Sequence, residues 1–495
     1  MQPNVLLIVL DACRSDTAEE HASALRRLGR NGVNFENAIA PATWTQPSHA
    51  SMFTGEYPHN HGITRPSQSS GPTDLMDQLG DRGYSTYGVS GNGFVSPLWG
   101  YDQAFDTFRY TQTPEPFQKG LDTYTYLRNT VGELPPLSAA GSVTKACLNH
   151  SHPIKSLCNP ASVGTNTVVR RYAQPLTRIP FQTFAPNPQH TYAPEKNTEF
   201  LEEVIRTEAD SNQPFFAFAN YMDTHRPYQA PADLQKKHLG RELSKPEFER
   251  LNDDVAAPWE FIRLVQNDAV NEDDVETLRR LYAASVESVD RHIDRLIKTL
   301  ERNGILEETA IVIVGDHGEN LGETDEMGRR RFGHEASISH ANASVPFVIV
   351  HPELEATIEQ PVSVKNVFEF LMQVSDPEVP IDDISPVTLT SDRVVCEYPA
   401  LGDQSLYDTH SDIDSKYLRQ RVSMDSVAAY QDDWRVVVES DGTEVAFKSG
   451  KQIDFADAPS ELVDAAQDAC MQLSKLSGDE ISSEIESRLS ELGYV

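Results

Sequence analysis

Two short apolar runs, far apart in the chain, each end in side chains that can bind a metal ion. Residues 4–10 are rich in Leu, Val and Ile and lead into Asp11, whereas residues 310–314 lead, after one glycine, into Asp316 and His317. Such β-branched runs are typical of buried strands in a parallel sheet. In open α/β sheets, functional groups collect at the carboxyl ends of the strands. The pattern therefore predicts an α/β fold in which Asp11, Asp316 and His317 form one site.

These three side chains are chemically suited to a divalent cation. Carboxylate oxygens and a neutral imidazole suit Zn, Mn or Mg, and Ca would be favoured if oxygen ligands predominate. The sequence leaves the identity and the number of ions open. Asp11 taken alone is more typical of a helix cap than of a metal ligand, so the prediction depends on the three residues together.

A segment with several hydroxyl groups lies between the two predicted strands. Residues 45–55 read Thr-Gln-Pro-Ser-His-Ala-Ser-Met-Phe-Thr-Gly. A hydroxyl at the start of a helix would lie beside backbone N–H groups that favour an anionic substrate. Thr45 and Ser48 are rival candidates for that hydroxyl, and the residue pattern alone does not decide between them.

The three segments together resemble the sulfatase branch of the alkaline phosphatase superfamily. In that family a Cys/Ser-x-Pro-Ser-Arg-x-x-x-Leu-Thr-Gly segment carries the nucleophile at a helix start, and residues 45–55 align with it without a gap. The first strand of the family ends in a metal-binding Asp, and a later Asp-His or Asp-Asn pair completes the metal site. The resemblance implies that Thr45 is the nucleophile. It also implies that the metal is bound by Asp11, Asp316 and His317, and that the substrate is contacted by Ser48 and His49.

Two further segments resemble parts of the family that contact the substrate. His225 lies in a His-x-Pro-Tyr pattern, and His334 lies upstream of a Val-Pro pair, where many members place a Lys or His. The resemblance implies that both histidines bind the ester oxygens or protonate the leaving group. Taken singly, each is more typical of a hydrogen-bonded structural histidine than of a ligand.

Thr45 departs from the sulfatases that use formylglycine. Those enzymes oxidise a Cys or Ser at this position, and a threonine carries an additional methyl group on the same carbon. The Arg of the family segment is replaced by His49, and the Asp that often follows the first metal ligand is replaced by Ala12. These departures favour a plain hydroxyl nucleophile, as in the Thr-using phosphoryl-transfer members of the superfamily.

The predicted function is metal-dependent hydrolysis of sulfate or phosphate esters through a covalent intermediate on Thr45. Two alternatives stay open: a phosphoethanolamine- or phosphoglycerol-type transferase, and a non-catalytic sulfatase-like protein. The predicted partner is a small-molecule or glycan ester. The sequence does not choose between sulfate and phosphate, and it does not indicate an oligomeric state.

The predicted architecture is a doubly wound, mostly parallel sheet of alkaline phosphatase/sulfatase type with a small C-terminal antiparallel sheet. We expect a catalytic domain over residues 1–393 and an α+β subdomain over residues 394–495. Residues 111–197 are rich in Pro, Ser and Asn and are predicted to form an insertion or cap. Residues 273–303 carry apolar side chains at helical spacing, which predicts a long helix against the core.

The charge balance is strongly acidic. The chain has 42 basic and 75 acidic residues, a net charge of −33, and only 13 of the basic residues are lysine. This composition resembles proteins from organisms that keep molar salt in the cytoplasm, where repulsion between charges is screened. It disfavours nucleic acid as a partner. No secretory signal and no apolar run of bilayer length are visible, so the expected location is the cytoplasm.

Overall fold

The computed structural model describes residues 2–64, 71–103, 105–111, 136–149, 153, 156–157, 194–400, 402 and 410–476. The chain divides into two compact units, Met1–Arg109 with Ala193–Val495, and Tyr110–Tyr192. The second unit contains the helix Pro136–Asn149. Most of the predicted insertion over residues 111–197 falls outside the described residues. Residues on both sides of the expected 393/394 boundary belong to the first unit, and that boundary stays a prediction.

The first unit contains sixteen of the seventeen described strands in full, and β5 except for its last residue. They are β1 Asn4–Leu10, β2 Val33–Phe35, β3 Ala38–Ile39, β4 Ser85–Ser90, β5 Thr107–Tyr110, β6 Phe215–Tyr221, β7 Thr309–Gly315, β8 Asn320–Thr324, β9 Arg330–Gly333, β10 Phe347–Val350, β11 Ala356–Ile358, β12 Val362–Ser363, β13 Val394–Tyr398, β14 Ser426–Gln431, β15 Trp434–Glu439, β16 Glu444–Lys448 and β17 Lys451–Ile453. Tyr110, the last residue of β5, belongs to the second unit.

The described α-helices alternate with the strands through most of the chain. They are α1 Ser15–His21, α2 Ser23–Arg30, α3 Thr45–Thr54, α4 Pro58–His61, α5 Asp74–Asp81, α6 Pro136–Asn149, α7 Pro194–Glu208, α8 Ala232–Leu239, α9 Lys245–Glu249, α10 Pro258–Gln266, α11 Glu272–Arg302, α12 His340–Ala343, α13 Val367–Val374, α14 Ser415–Val422 and α15 Ser460–Leu476.

The central sheet has eight strands in the order β11-β2-β10-β7-β1-β6-β4-β5. Strands β7, β1, β6 and β4 run parallel to one another, and β10 runs antiparallel to both β7 and β2. A second, antiparallel sheet joins β13 to β17 in chain order. The predicted fold class, a mostly parallel sheet with a small C-terminal antiparallel sheet, is confirmed.

The central strands are apolar on both sides because both faces of the sheet are covered. Alternate residues of β1 belong to two separate apolar clusters: Val5, Leu7 and Val9 to one, and Leu6, Ile8 and Leu10 to the other. The long helix α11 contributes its apolar stripe to the second cluster, through Leu278, Leu281, Val286, Val289, Ile293 and Ile297. The predicted helix over residues 273–303 is therefore confirmed, and its stripe is part of the core.

Candidate active site

The strand register brings the two acidic strand ends together. Leu10, the last residue of β1, pairs with Gly315 at the end of β7 and with Tyr221 at the end of β6. Asp11 and Asp316 follow these paired positions directly, and neither side chain is exposed. The carboxyl edge of the three central strands thus carries both carboxylates.

Asp11, Asp316 and His317 form a compact ligand set. One potential ligand atom from each residue lies within 4.8 Å of the other two. The Nε2 atom of His317 is 3.8 Å from Oδ1 of Asp11 and 3.6 Å from Oδ2 of Asp316. The three side chains that the sequence assigned to a metal are therefore brought together and buried.

Backbone contacts orient two of these ligands. Asp316 Oδ1 accepts hydrogen bonds from the backbone N–H groups of Ala12, at 3.0 Å, and His317, at 2.8 Å. Ala12 has a φ of +56°, an uncommon conformation for a residue with a Cβ. The Nδ1 atom of His317 lies 2.8 Å from the carbonyl oxygen of Gly318 and donates to it. This contact leaves the Nε2 lone pair directed toward the two carboxylates, the arrangement expected of a histidine ligand.

The charge and the hydrogen bonding of the cluster fit a divalent cation. Oδ1 of Asp11 and Oδ2 of Asp316 are buried, and neither atom has a hydrogen-bond partner among the described residues. Burial and then the nearby Asp11 carboxylate raise the pKa of Asp316 well above its ordinary value. Two buried carboxylates cost much free energy unless positive charge compensates them. A cation bound here would contact both unpaired oxygens and offset the repulsion.

Thr45 is the first residue of α3, and its hydroxyl faces the ligand set. Its Oγ1 atom is 3.4 Å from Nε2 of His317 and 3.5 Å from Oδ2 of Asp11, and the residue is only 2% exposed. The N–H groups in the first turn of a helix have no hydrogen-bond acceptor within that helix, so they favour a nearby anion. The Thr45 hydroxyl, the ligand set and the N-terminus of α3 therefore lie next to one another.

Ser48 and His49 lie one turn further along α3 and make protein contacts. Ser48 donates its hydroxyl hydrogen to the carbonyl oxygen of Asp316 over 2.6 Å. Nδ1 of His49 donates to the Thr45 carbonyl over 3.0 Å, and its Nε2 lies 3.3 Å from Nδ2 of Asn220. Burial lowers the pKa of His49 to about 4, so the ring is neutral. These contacts favour roles in holding α3 against the sheet, and the predicted substrate contacts stay predictions.

His225 and His334 lie together beside the ligand set. Their ring centroids are 5.3 Å apart, and the His334 ring is 4.3 Å from the His317 ring. Nδ1 of His225 donates to the backbone carbonyl of Arg226 over 2.5 Å, and Nδ1 of His334 lies 3.3 Å from Oε1 of Glu319. Burial lowers the pKa of both histidines, that of His334 to about 4. Two neutral imidazoles thus border the site.

Two asparagines complete the site, and the sequence reasoning missed both. Nδ2 of Asn92 lies 2.6 Å from Oδ2 of Asp11 and 3.2 Å from Oγ1 of Thr45. Nδ2 of Asn220 lies 3.2 Å from the same Asp11 oxygen. Asn220 interrupts the apolar run of β6, and Asn92 lies two residues after the end of β4. An amide within an otherwise apolar strand requires a polar partner, and this signal would have identified Asn220.

The fold and the site together define a class of protein. It is an α/β protein in which three potential metal ligands and the hydroxyl of a helix residue lie at the carboxyl edge of a mostly parallel sheet. The family model named Sulfatase matches residues 3–377, and the chain belongs to the sulfatase family. The resemblance to this branch of the alkaline phosphatase superfamily is therefore confirmed.

Relatives and solved structures agree with this assignment. A choline-sulfatase from Rhizobium meliloti (strain 1021) is 23% identical over 370 residues, which cover 71% of this chain and 63% of that protein. This chain thus spans less than two thirds of that relative. The structure of Ps i-CgsB in complex with k-i-k-neocarrahexaose has a TM-score of 0.59 at 15% identity and covers 100% of this chain and 98% of that one. The phosphonate monoester hydrolase of Agrobacterium radiobacter has a TM-score of 0.57 at 17% identity, with coverages of 96% and 95%. At these identities the two structures show the shared fold.

Helices long and apolar enough to cross a membrane are absent from the described part of the chain.

Proposed function

We propose that this protein is a metal-dependent hydrolase of sulfate or phosphate esters in which Thr45 is the nucleophile. The observation that carries the proposal is the approach of the Thr45 hydroxyl to within 3.5 Å of Asp11 Oδ2 and 3.4 Å of His317 Nε2. Membership of the sulfatase family supports ester hydrolysis. The names of two similar proteins, a choline-sulfatase and a phosphonate monoester hydrolase, support sulfur or phosphorus as the atom attacked.

Asp11, Asp316 and His317 are the residues that would hold the cation. When bound, a divalent ion lowers the free energy of a nearby alkoxide and offsets negative charge on the ester oxygens. Zn, Mn, Mg and Ca all remain compatible with two carboxylates and one imidazole. A small-molecule or glycan ester is proposed as the substrate, in line with choline-sulfatase and with the neocarrahexaose complex.

The reaction divides into two displacements at the same atom. Thr45 Oγ forms a bond to sulfur or phosphorus while the bond to the leaving alcohol breaks, and the alcohol leaves with a proton. Water then attacks the same atom, releases sulfate or phosphate and restores the threonine hydroxyl. His225 and His334, which border the site, are proposed to bind the ester oxygens and to exchange these protons.

Asn92 is proposed to position and activate the nucleophile. Its Oδ1 accepts from the backbone N–H of Phe94 over 2.7 Å, which fixes the orientation of the side-chain amide. The Nδ2 hydrogens are thereby directed at Asp11 and Thr45. A fixed donor to the threonine oxygen stabilises negative charge as it develops there, and costs no reorganisation at the moment of reaction.

Asn92→Leu, which keeps a similar volume and removes the donors, is expected to lower kcat by about 10- to 100-fold. KM and metal content are expected to change little, because Asn92 is not among the proposed ligands. Steady-state kinetics together with metal analysis by mass spectrometry would check this. Asn267→Leu, at an exposed site after α10, is the matched control. An unchanged kcat, or a loss of metal as large as the loss of rate, would contradict the assigned role.

The proposed function is tested by parallel assays of three p-nitrophenyl esters: the sulfate, the phosphate and a phosphodiester. The purified protein is stripped of metal, then Mn, Mg, Ca or Zn is restored separately, in both low and high salt. We expect metal-dependent turnover of at least one ester, and the preferred ester identifies the substrate class. Absence of turnover with every ester and every metal would contradict the hydrolase proposal and favour a transferase or a non-catalytic protein.

A further inference from the structure

Glu319 is a buried carboxyl group close to the proposed metal ligands. It lies two residues after His317, and its side chain is not exposed to solvent. Its Oε1 atom is 3.3 Å from Nδ1 of His334. Burying a carboxyl group costs free energy, so its presence beside the site indicates a role beyond packing.

Two other histidines of the site are held through the same ring atom. Nδ1 of His317 donates to a backbone carbonyl oxygen over 2.8 Å, and Nδ1 of His225 does so over 2.5 Å. Each carbonyl belongs to the next residue in the chain. At His334 the side chain of Glu319 takes the place of that carbonyl. The contact at one ring nitrogen fixes the orientation of the ring and determines how the other nitrogen is used.

The backbone around His334 is fixed by two asparagines. Nδ2 of Asn320 donates to the carbonyl oxygen of Gly333 over 2.6 Å, and Nδ2 of Asn342 donates to that of His334 over 3.1 Å. Both asparagines are buried. Asn320 follows Glu319 directly, so two consecutive residues hold the backbone before His334 and its ring. The Glu319 contact therefore restricts rotation of a ring whose backbone is already in place.

Nε2 of His334 is the ring nitrogen that remains for a ligand. In the described part of the chain it has no hydrogen-bond partner, and the side chain is 15% exposed. The ring centroid lies 4.3 Å from that of His317 and 5.3 Å from that of His225. A group that binds beside the proposed metal ligands thus has this nitrogen available to it.

The contact at Nδ1 does not depend on the charge of Glu319. Burial raises the pKa of Glu319 to about 8, and the charges of His225 and Arg226 oppose this effect. An ionised carboxylate accepts a hydrogen bond from Nδ1–H, whereas a neutral carboxyl group donates one to the Nδ1 lone pair. In both states Glu319 occupies Nδ1 and leaves Nε2 for the ligand.

We propose that Glu319 is a positioning residue for His334, which occupies Nδ1 and thereby presents Nε2 to the oxygens of the substrate. This inference rests on the proposed function, in which His334 binds the ester oxygens, and it assigns that binding to one ring nitrogen. Glu319 lies outside the set of three potential metal ligands, so its replacement should leave the metal content unchanged.

The test compares Glu319→Gln with Glu319→Leu, each alone and combined with His334→Ala. Both replacements are uncharged, but only the glutamine amide can still occupy Nδ1. Inorganic sulfate and inorganic phosphate are titrated calorimetrically, in separate experiments, into each metal-loaded variant and the parent. We expect Glu319→Leu to bind at least one anion about 10-fold more weakly than Glu319→Gln. The difference should vanish when His334→Ala is also present, because the two residues then no longer act together.

Glu355→Leu, at an exposed position directly before β11, is the matched control and should bind both anions as the parent does. Four results would each overturn the inference: equal affinities for Glu319→Gln and Glu319→Leu, a difference that persists with His334→Ala, loss of metal from Glu319→Leu, or a parent protein that binds neither anion.

A second measurement on the parent protein decides the matter if Glu319→Leu does not fold, as judged by its melting temperature. The protein is labelled with ¹⁵N-histidine, and the signals of His334 are assigned by their absence from His334→Ala. The anion should shift the Nε2 signal more than the Nδ1 signal, and the reverse would overturn the inference. Because binding is measured without turnover, a protein that shows this coupling yet hydrolyses no ester would keep the inference and lose the proposed function.

Discussion

Thr45→Ala is expected to lower kcat by about 10⁴-fold or more while the metal content stays the same. The substitution removes a hydroxyl whose oxygen lies within 3.5 Å of both Asp11 and His317. It leaves the three proposed ligands and their backbone contacts intact. The measurement is kcat with the preferred p-nitrophenyl ester, together with metal analysis of the same preparation.

Two further variants separate the rival hydroxyls. Thr45→Ser keeps a hydroxyl at the helix start and should retain measurable turnover. Ser48→Ala removes a hydrogen bond to the Asp316 carbonyl, and a lost hydrogen bond of this kind typically costs about 1 kcal/mol of stability. We therefore expect a lower melting temperature for Ser48→Ala but continued turnover. Equal activity in Thr45→Ala and the parent protein would instead point to Ser48 or to water as the attacking group.

Asp316→Asn is expected to weaken metal binding by at least about 100-fold and to abolish turnover. The amide oxygen can still accept the two backbone hydrogen bonds from Ala12 and His317, so the local structure should persist. The substitution replaces Oδ2, a buried carboxylate oxygen that has no hydrogen-bond partner among the described residues. It therefore removes a ligand and one of two repelling charges together.

The loss of the ligand and the loss of the repelling charge change the stability of the Asp316→Asn variant in opposite directions, and the two effects can be measured separately. Without metal, the variant should be as stable as the parent or more stable, because the repulsion with Asp11 is gone. With metal, the parent should gain about 2.7 kcal/mol at a concentration 100 times its Kd, and the variant should gain little. Melting curves recorded with and without metal measure both effects. Asp382→Asn, at an exposed position, is the control. A variant that retains the full metal-induced shift would exclude Asp316 as a ligand.

The sequence was sufficient to predict the parts of the site that follow apolar strands. Asp11, Asp316 and His317 are placed by strand ends, and parallel strands in register necessarily bring their ends to one edge. The long helix α11 was also predictable, because its apolar residues recur at helical spacing from Leu278 to Ile297. The hairpin of β15 and β16 follows from the Asp441-Gly442 turn, where the glycine has a φ of +90°.

The remaining parts depend on contacts between distant segments. Asn92 meets Asp11 across 81 positions of the chain and Arg421 meets Glu335 across another long separation. Neither residue lies in a segment that the family motif covers, and periodicity gives no information on such pairs. The hydroxyl of Ser48 was assigned to the substrate because of its position in the motif, whereas its orientation toward the Asp316 carbonyl depends on how α3 packs on the sheet.

The measurement that tests the central claim most directly is chemical trapping of the covalent intermediate. The metal-loaded protein is mixed with whichever phosphate or sulfate ester it turns over, quenched within milliseconds and analysed by peptide mass spectrometry. We predict that a phosphoryl or sulfuryl group forms on Thr45 in the metal-loaded protein. The same group should not form in protein from which the metal was stripped before mixing. Product formation with no modified Thr45, or with the group on Ser48, would contradict the account.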